Sequence, residues 1–177
     1  TAVSADNLRA SAYTVYQEGI YTGYKYYETR YFDTVVNPSS NASSSKGAKE
    51  GATSWVYNDE VSYTFGYGES YTTFEQTLKS IDFNTRDKVV TAVVEVKNTG
   101  SVAGKDAIEL YVSLPRKNND KLEKAAIQLL DYQKTTMIEP KDTKQFVITA
   151  DLSDATSYDN ELEHDGVTGG YVLAEGD

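Results

Sequence analysis

Carboxylates are the most abundant reactive groups of this chain, 27 against 17 basic residues and one histidine, for a net charge of −10. A carboxylate can act as a nucleophile or, with its pKa raised by apolar surroundings, as a general acid. That work needs a pair at a defined separation, and scattered acids of this number are by default a solvated surface. His164, in Glu161-Leu162-Glu163-His164-Asp165-Gly166, reads as a surface residue rather than a base or ligand. The aspartates between Asp151 and Asp165 lack an EF-hand pattern, and no spacing resembles a zinc or transition-metal site. Gly66-Tyr67-Gly68 lacks the glycine and lysine positions that cradle phosphate, and no nucleophile elbow is present. No catalytic, metal-ligating or cofactor-binding residue is therefore assigned. Trp55 and tyrosines 24, 27, 71 and 111 could stack on the apolar face of pyranose rings. Their alternative role, as core or interdomain contacts, is preferred, with Trp55 the one expected to be exposed.

The acidic surface disfavours nucleic acid and anionic membranes and is compatible with neutral sugar polymers. Without cysteine the chain has neither disulfides nor thiolate metal sites, so redox chemistry does not reveal its compartment. No run approaches the roughly 20 apolar residues that cross a bilayer. No signal peptide is read near Thr1, which leaves a bacterial cytoplasm and secretion both open.

The elements that would position these residues fall into two parts. Asn7–Asp33 reads as helix, with Ile20, Tyr24, Tyr27 and Tyr31 on one face and Gly19 and Gly23 permitting close backbone approach. That face needs a partner surface. Residues 37–54 are Ser- and Gly-rich and are expected to form an exposed, mobile loop. The sequon Asn41-Ala42-Ser43 within it is common by chance and is not assigned.

Beyond Phe74 the period becomes two. Val90, Ala92, Val94 and Val96 alternate with Thr91, Val93, Glu95 and Lys97, and Asn98-Thr99-Gly100 supplies a turn. Ile108, Leu110, Val112 and Leu114 alternate again up to Pro115, as do Phe146, Ile148 and Ala150. Such strands predict an antiparallel β-sandwich of the immunoglobulin or fibronectin type III kind, its core including Val90, Val94, Ile108, Leu110, Val112, Phe146 and Ile148. Leu122–Leu130 has helical spacing, whereas Asp131-Tyr132-Gln133-Lys134 reads as strand.

Three stretches in fixed order carry a family resemblance. They are Tyr16-Gln17-Glu18-Gly19-Ile20-Tyr21-Thr22-Gly23-Tyr24-Lys25-Tyr26-Tyr27-Glu28-Thr29-Arg30, Phe65-Gly66-Tyr67-Gly68-Glu69-Ser70-Tyr71-Thr72-Thr73-Phe74, and Val93-Val94-Glu95-Val96-Lys97-Asn98-Thr99-Gly100 running on to Ser113. Together they resemble the C-terminal part of family 3 glycoside hydrolases, the β-glucosidase family. The resemblance implies that residues 1–74 are the end of an α/β sandwich domain and 75–177 a fibronectin type III-like domain. The fold class implied is mainly β, a sandwich preceded by the helical tail of the other domain. Departures are Val61-Ser62-Tyr63-Thr64 where prolines are usual, Glu69 for leucine, Asp131 for glycine and Pro140-Lys141-Asp142 for a Pro-Gly-Glu turn. With the extra loop at 37–54 they suggest a divergent bacterial branch.

The resemblance also implies what is missing. Family members are retaining enzymes whose nucleophile is a barrel aspartate and whose acid is a glutamate earlier in the second domain, and neither motif occurs here. Glu18, inside the first motif, reads as a brace for the tyrosine helix. The chain breaks off at Tyr171–Asp177, where the family continues into a closing strand, so it resembles a piece of a module. The chain alone is expected to be inactive, a non-catalytic part of a β-glucosidase-type enzyme acting on a β-linked saccharide. Its expected partners are the remaining catalytic domains or another copy of the chain. The competing reading is an independent carbohydrate-binding or adhesion module, which would have no use for a helix face belonging to another domain.

Overall fold

The computed structural model describes residues 19–38, 49–116 and 121–173. Glu18, the helix expected over residues 7–18 and the Asn41 sequon lie outside the described residues.

In chain order the described elements are α1 (Tyr24–Tyr31), α2 (Tyr57–Glu60), β1 (Phe74–Asn84), β2 (Val89–Asn98), β3 (Ala107–Val112), β4 (Gln128–Lys134), β5 (Thr143–Asp151), β6 (Ser157–His164) and β7 (Val167–Val172). The sheets are antiparallel: β1-β2-β5 forms one, β3-β4 a second, and β6-β7 a hairpin. β2 is the spine because its β-branched residues suit a pleated surface and alternate cleanly. Val90, Ala92, Val94 and Val96 are buried, while Thr91, Val93 and Glu95 are half-buried and Lys97 is exposed. Ile108 of β3 and Ile148 of β5 close on that row together with Ile138, and Phe74, Leu110 and Phe146 pack at its margin. Leu110 also reaches a second cluster of Val90, Ala150 and Leu152, capped by Leu130 of β4. Each fully buried aliphatic side chain contributes about 1.5–3 kcal/mol, so this two-layer contact is the main source of stability.

The two layers are offset. In the β1–β2 register Leu78 faces Val94, Ile81 faces Ala92 and Phe83 faces Val90, so all three share the core face of the sheet. Yet they stay 57%, 44% and 59% exposed. Among the described residues the facing layer has two strands, and its Leu130 packs on the cluster of Val90, Ala150 and Leu152 rather than on these β1 side chains.

The structure corrects two expectations. Within the described residues helix begins at Tyr24 rather than running through Gly19–Gly23. Gly23 has φ 55° and ψ −133°, a conformation closed to other residues, and it breaks the chain direction just before the first turn. The helix then widens into a π-helical turn over Phe32–Val36, closed by Asn37 N donating to Phe32 O at 2.7 Å. Residues 121–127 are not helical despite their spacing, and β4 starts at Gln128. The Ala126 N–H donates to Thr29 Oγ1 at 2.9 Å, and the Lys124 ammonium to the Pro115 carbonyl at 2.8 Å. Those tertiary bonds replace the i−4 ladder a helix would need. The one-turn helix α2 was not foreseen.

Candidate functional site at the junction of three motifs

The three motif stretches converge. From the first, Tyr24 stacks on Phe65 of the second with ring centres 3.9 Å apart, and Phe65 meets Tyr111, in the third, edge-on at 6.4 Å. Phe65 is held by a turn in which Tyr67 N donates to Thr64 O at 3.0 Å, with Gly66 at φ 82°. That φ is one side chains rarely adopt, and a β-carbon at Gly66 would also displace the Glu109 carboxylate, so glycine is favoured there. The far end of the second motif is bonded to the third. Thr72 Oγ1 donates to Asn98 Oδ1 at 2.7 Å, and Thr99 N donates to Thr73 O at 2.8 Å.

Asn98, read from the sequence as part of a turn, is instead a fully buried hub. Its amide nitrogen donates to the carbonyls of Val102 at 2.8 Å and Ile138 at 3.0 Å, and its oxygen also accepts from Gly100 N at 3.0 Å. A short side chain carrying both donors and acceptors is what the site requires, and sequence alone marks it only by its place before Thr99-Gly100.

Helix α1 docks on the sandwich through polar bonds. The Tyr24 hydroxyl accepts from Leu129 N at 2.8 Å and Thr29 Oγ1 from Ala126 N. The Arg116 guanidinium grips both oxygens of Asp33, at 2.6 and 2.9 Å. Part of the surface sought by the tyrosine face is thus the sandwich itself. Ile20 and Tyr31 remain exposed.

Between α1, the Phe65 turn and β3 lies a cleft of about 380 Å³, lined by Tyr24, Glu28, Phe65, Glu109, Tyr111 and Ile127 among others. The Tyr57 hydroxyl donates to Glu28 Oε1, and the Tyr111 hydroxyl to Glu109 Oε2 at 2.7 Å. Burial first, then the Glu28 carboxylate, push the Tyr57 hydroxyl up to about 12. Burial and Glu109 raise the Tyr111 hydroxyl in the same sense. Both tyrosines therefore act as donors, and the cleft is aromatic-walled with two carboxylates at its rim.

Trp55 is half-buried rather than exposed. The Arg30 guanidinium lies over its ring at 4.9 Å, and its indole N–H is sealed from solvent with no acceptor among the described residues. Tyr71 is 99% exposed and takes no part in the core of this chain. His164 is exposed beside Asp165, as the sequence reading holds.

No family model matches the chain. A β-glucosidase from Ruminococcus albus is 34% identical over 155 residues, 88% of this chain and 13% of the relative. β-Glucosidase A of Butyrivibrio fibrisolvens is also 34% identical, over 84% of this chain and 16% of the relative. The chain is homologous to part of the β-glucosidases. Among solved structures, a β-glucosidase from Paenibacillus barengoltzii aligns with TM-score 0.66 and 30% identity over 92% of this chain and 15% of its own. β-Glucosidase 3B from Thermotoga neapolitana, solved with glucose, aligns with TM-score 0.54 and 27% identity over 81% of this chain and 16% of its own. The chain thus spans less than one fifth of these β-glucosidases.

Proposed function

We propose that this chain is the non-catalytic C-terminal portion of a family 3 glycoside hydrolase of β-glucosidase type. In this reading residues 1–74 end an α/β sandwich domain and 75–177 belong to a fibronectin type III-like domain. Their work is to brace the catalytic domains or the contacts between subunits, and the substrate of the whole enzyme is a β-linked saccharide. The observation that carries the reading is coverage: 88% of this chain aligns with 13% of a β-glucosidase, so the aligned unit is a small share of a larger machine. The polar docking of α1 on the sandwich supports it, because it makes the two pieces one joint. The rival reading, a free-standing carbohydrate-binding module, is weakened by the rings themselves. Trp55 is covered by Arg30, and one face of Tyr24 is taken by Phe65.

The test is to prepare the chain alone and the longer enzyme with and without the region corresponding to it. The chain alone is expected not to hydrolyse aryl β-glucosides, and removing the region is expected to lower the enzyme's melting temperature or subunit association. Turnover by the purified chain that is lost in Glu18→Gln would overturn the reading. So would a longer enzyme that melts and associates identically without it.

A further inference from the structure

Aromatic rings gather around charged groups at several places in the described chain, and two of these hold an arginine. Arg116 grips Asp33 while its guanidinium carbon lies 5.6 Å from the centre of the Phe32 ring. Arg30 lies 4.9 Å from the Trp55 ring and 5.8 Å from that of Tyr26, whose hydroxyl accepts from it at 2.8 Å. The cleft between α1 and β3 has the same parts, the rings of Tyr24, Phe65 and Tyr111 and the carboxylates of Glu28 and Glu109, yet among the described residues neither lysine nor arginine lines it.

Each carboxylate there is half-buried and lines the cleft, and the one partner given for each is a single tyrosine hydroxyl on one of its two oxygens. Charge held against aromatic walls without a counter-ion is costly. A guanidinium answers both features at once, because its planar fork suits carboxylates and its face stacks on rings. A neutral sugar would leave both charges uncompensated, and one face of Tyr24 is already occupied by Phe65 at 3.9 Å. We propose that this cleft is a docking seat for an arginine side chain presented by another polypeptide surface, gripped between Glu28 and Glu109. The inference rests on the supporting-part reading only for the source of that surface. Its chemistry holds for any protein partner.

The probe is N-acetyl-arginine amide, titrated into the full chain and followed by NMR at the Leu129 amide and the ring signals of Tyr24, Phe65 and Tyr111. Saturable shifts are expected. They should be at least tenfold weaker in binding for Glu28→Gln and for Glu109→Gln, weaker with rising salt, and absent with the uncharged N-acetyl-citrulline amide. Gln keeps the shape and still accepts from the tyrosine hydroxyl, and unchanged signals elsewhere report that the fold is intact. If one variant fails to fold, the other variant and the salt series decide. No response to the arginine probe would overturn the proposal, as would equal binding of the citrulline probe or binding indifferent to both substitutions. Shifts at the same signals with methyl β-glucoside but not with the arginine probe would assign the cleft to saccharide instead. None of these outcomes depends on turnover, so failure here is distinct from failure of the supporting-part reading.

Discussion

The sandwich and the helical piece hold together by different means. In the sandwich, aliphatic rows from β2, β3 and β5 exclude water, and one buried amide, Asn98, ties the loops at one end. The α1 segment has few buried apolar side chains. Thr29 and Arg30 are its buried residues, and it is fastened by single hydrogen bonds, one ion pair and stacked rings. Aliphatic burial is non-directional and tolerates small shifts. Polar fastening is directional and fails when one atom is removed. The first kind makes a stable body, and the second sets the angle at which a neighbouring part leaves it.

The largest test of this contrast is Ile138→Ala. Ile138 is completely buried in the main cluster, and truncation should cost about 2–5 kcal/mol in chemical denaturation. A loss under about 1 kcal/mol would mean that the two layers are not the stabilising body. Asn98→Ala comes next. It removes the partner of the Val102 carbonyl and of the Thr72 hydroxyl, at about 1–3 kcal/mol for a buried group so deprived, while the Ile138 carbonyl keeps Gly104 N and the Gly100 N–H keeps Thr73 O. Thr29→Val keeps the shape and removes only the acceptor for Ala126 N–H. We expect a loss of about 1 kcal/mol and faster hydrogen exchange confined to Tyr24–Tyr31 and the 124–129 segment. Exchange that rises equally in β2 would erase the distinction between the two regions.

The last effect, confined to alkaline solution, is one of pH. The Tyr57 hydroxyl is raised from 10.0 to about 12 by burial and Glu28. Between those values the unfolded chain has lost the proton while the folded chain retains it, so stability falls as pH rises through that window. Tyr57→Phe should flatten that part of the profile, and a profile identical to the parent would show that Tyr57 ionises freely in the folded state.

Much of the sandwich was legible because β2, β3 and β5 alternate at period two. The seven core positions named from that pattern are buried or half-buried in the structure. What the pattern could not carry was direction at glycines and competition for backbone groups. Gly23 ends the helical reading by its torsion angles, and Thr29 takes the Ala126 N–H that a helix at 122–130 would have used. The junction was legible as three motifs but not as one place, since Phe65 and Tyr111 are brought together only by the fold. The roles of Asn98 and Ile138 were invisible for the same reason: each is defined by contacts distant in sequence.

The β2 spine also sets the order in which the sandwich assembles. Its pairing with β1 closes across a tight connection, Asn84 opposite Val89, and is available as soon as the chain turns. Its pairing with β5 joins Thr91 to Thr149, 58 residues away, and waits on closure of a long loop whose entropy must be spent before any contact is gained. A hairpin of β1 and β2 therefore precedes the finished sheet. Until β5 and the β3-β4 layer arrive, the valine row of β2 is bare, so the interval between the two closures is when the chain is most exposed to self-association during synthesis.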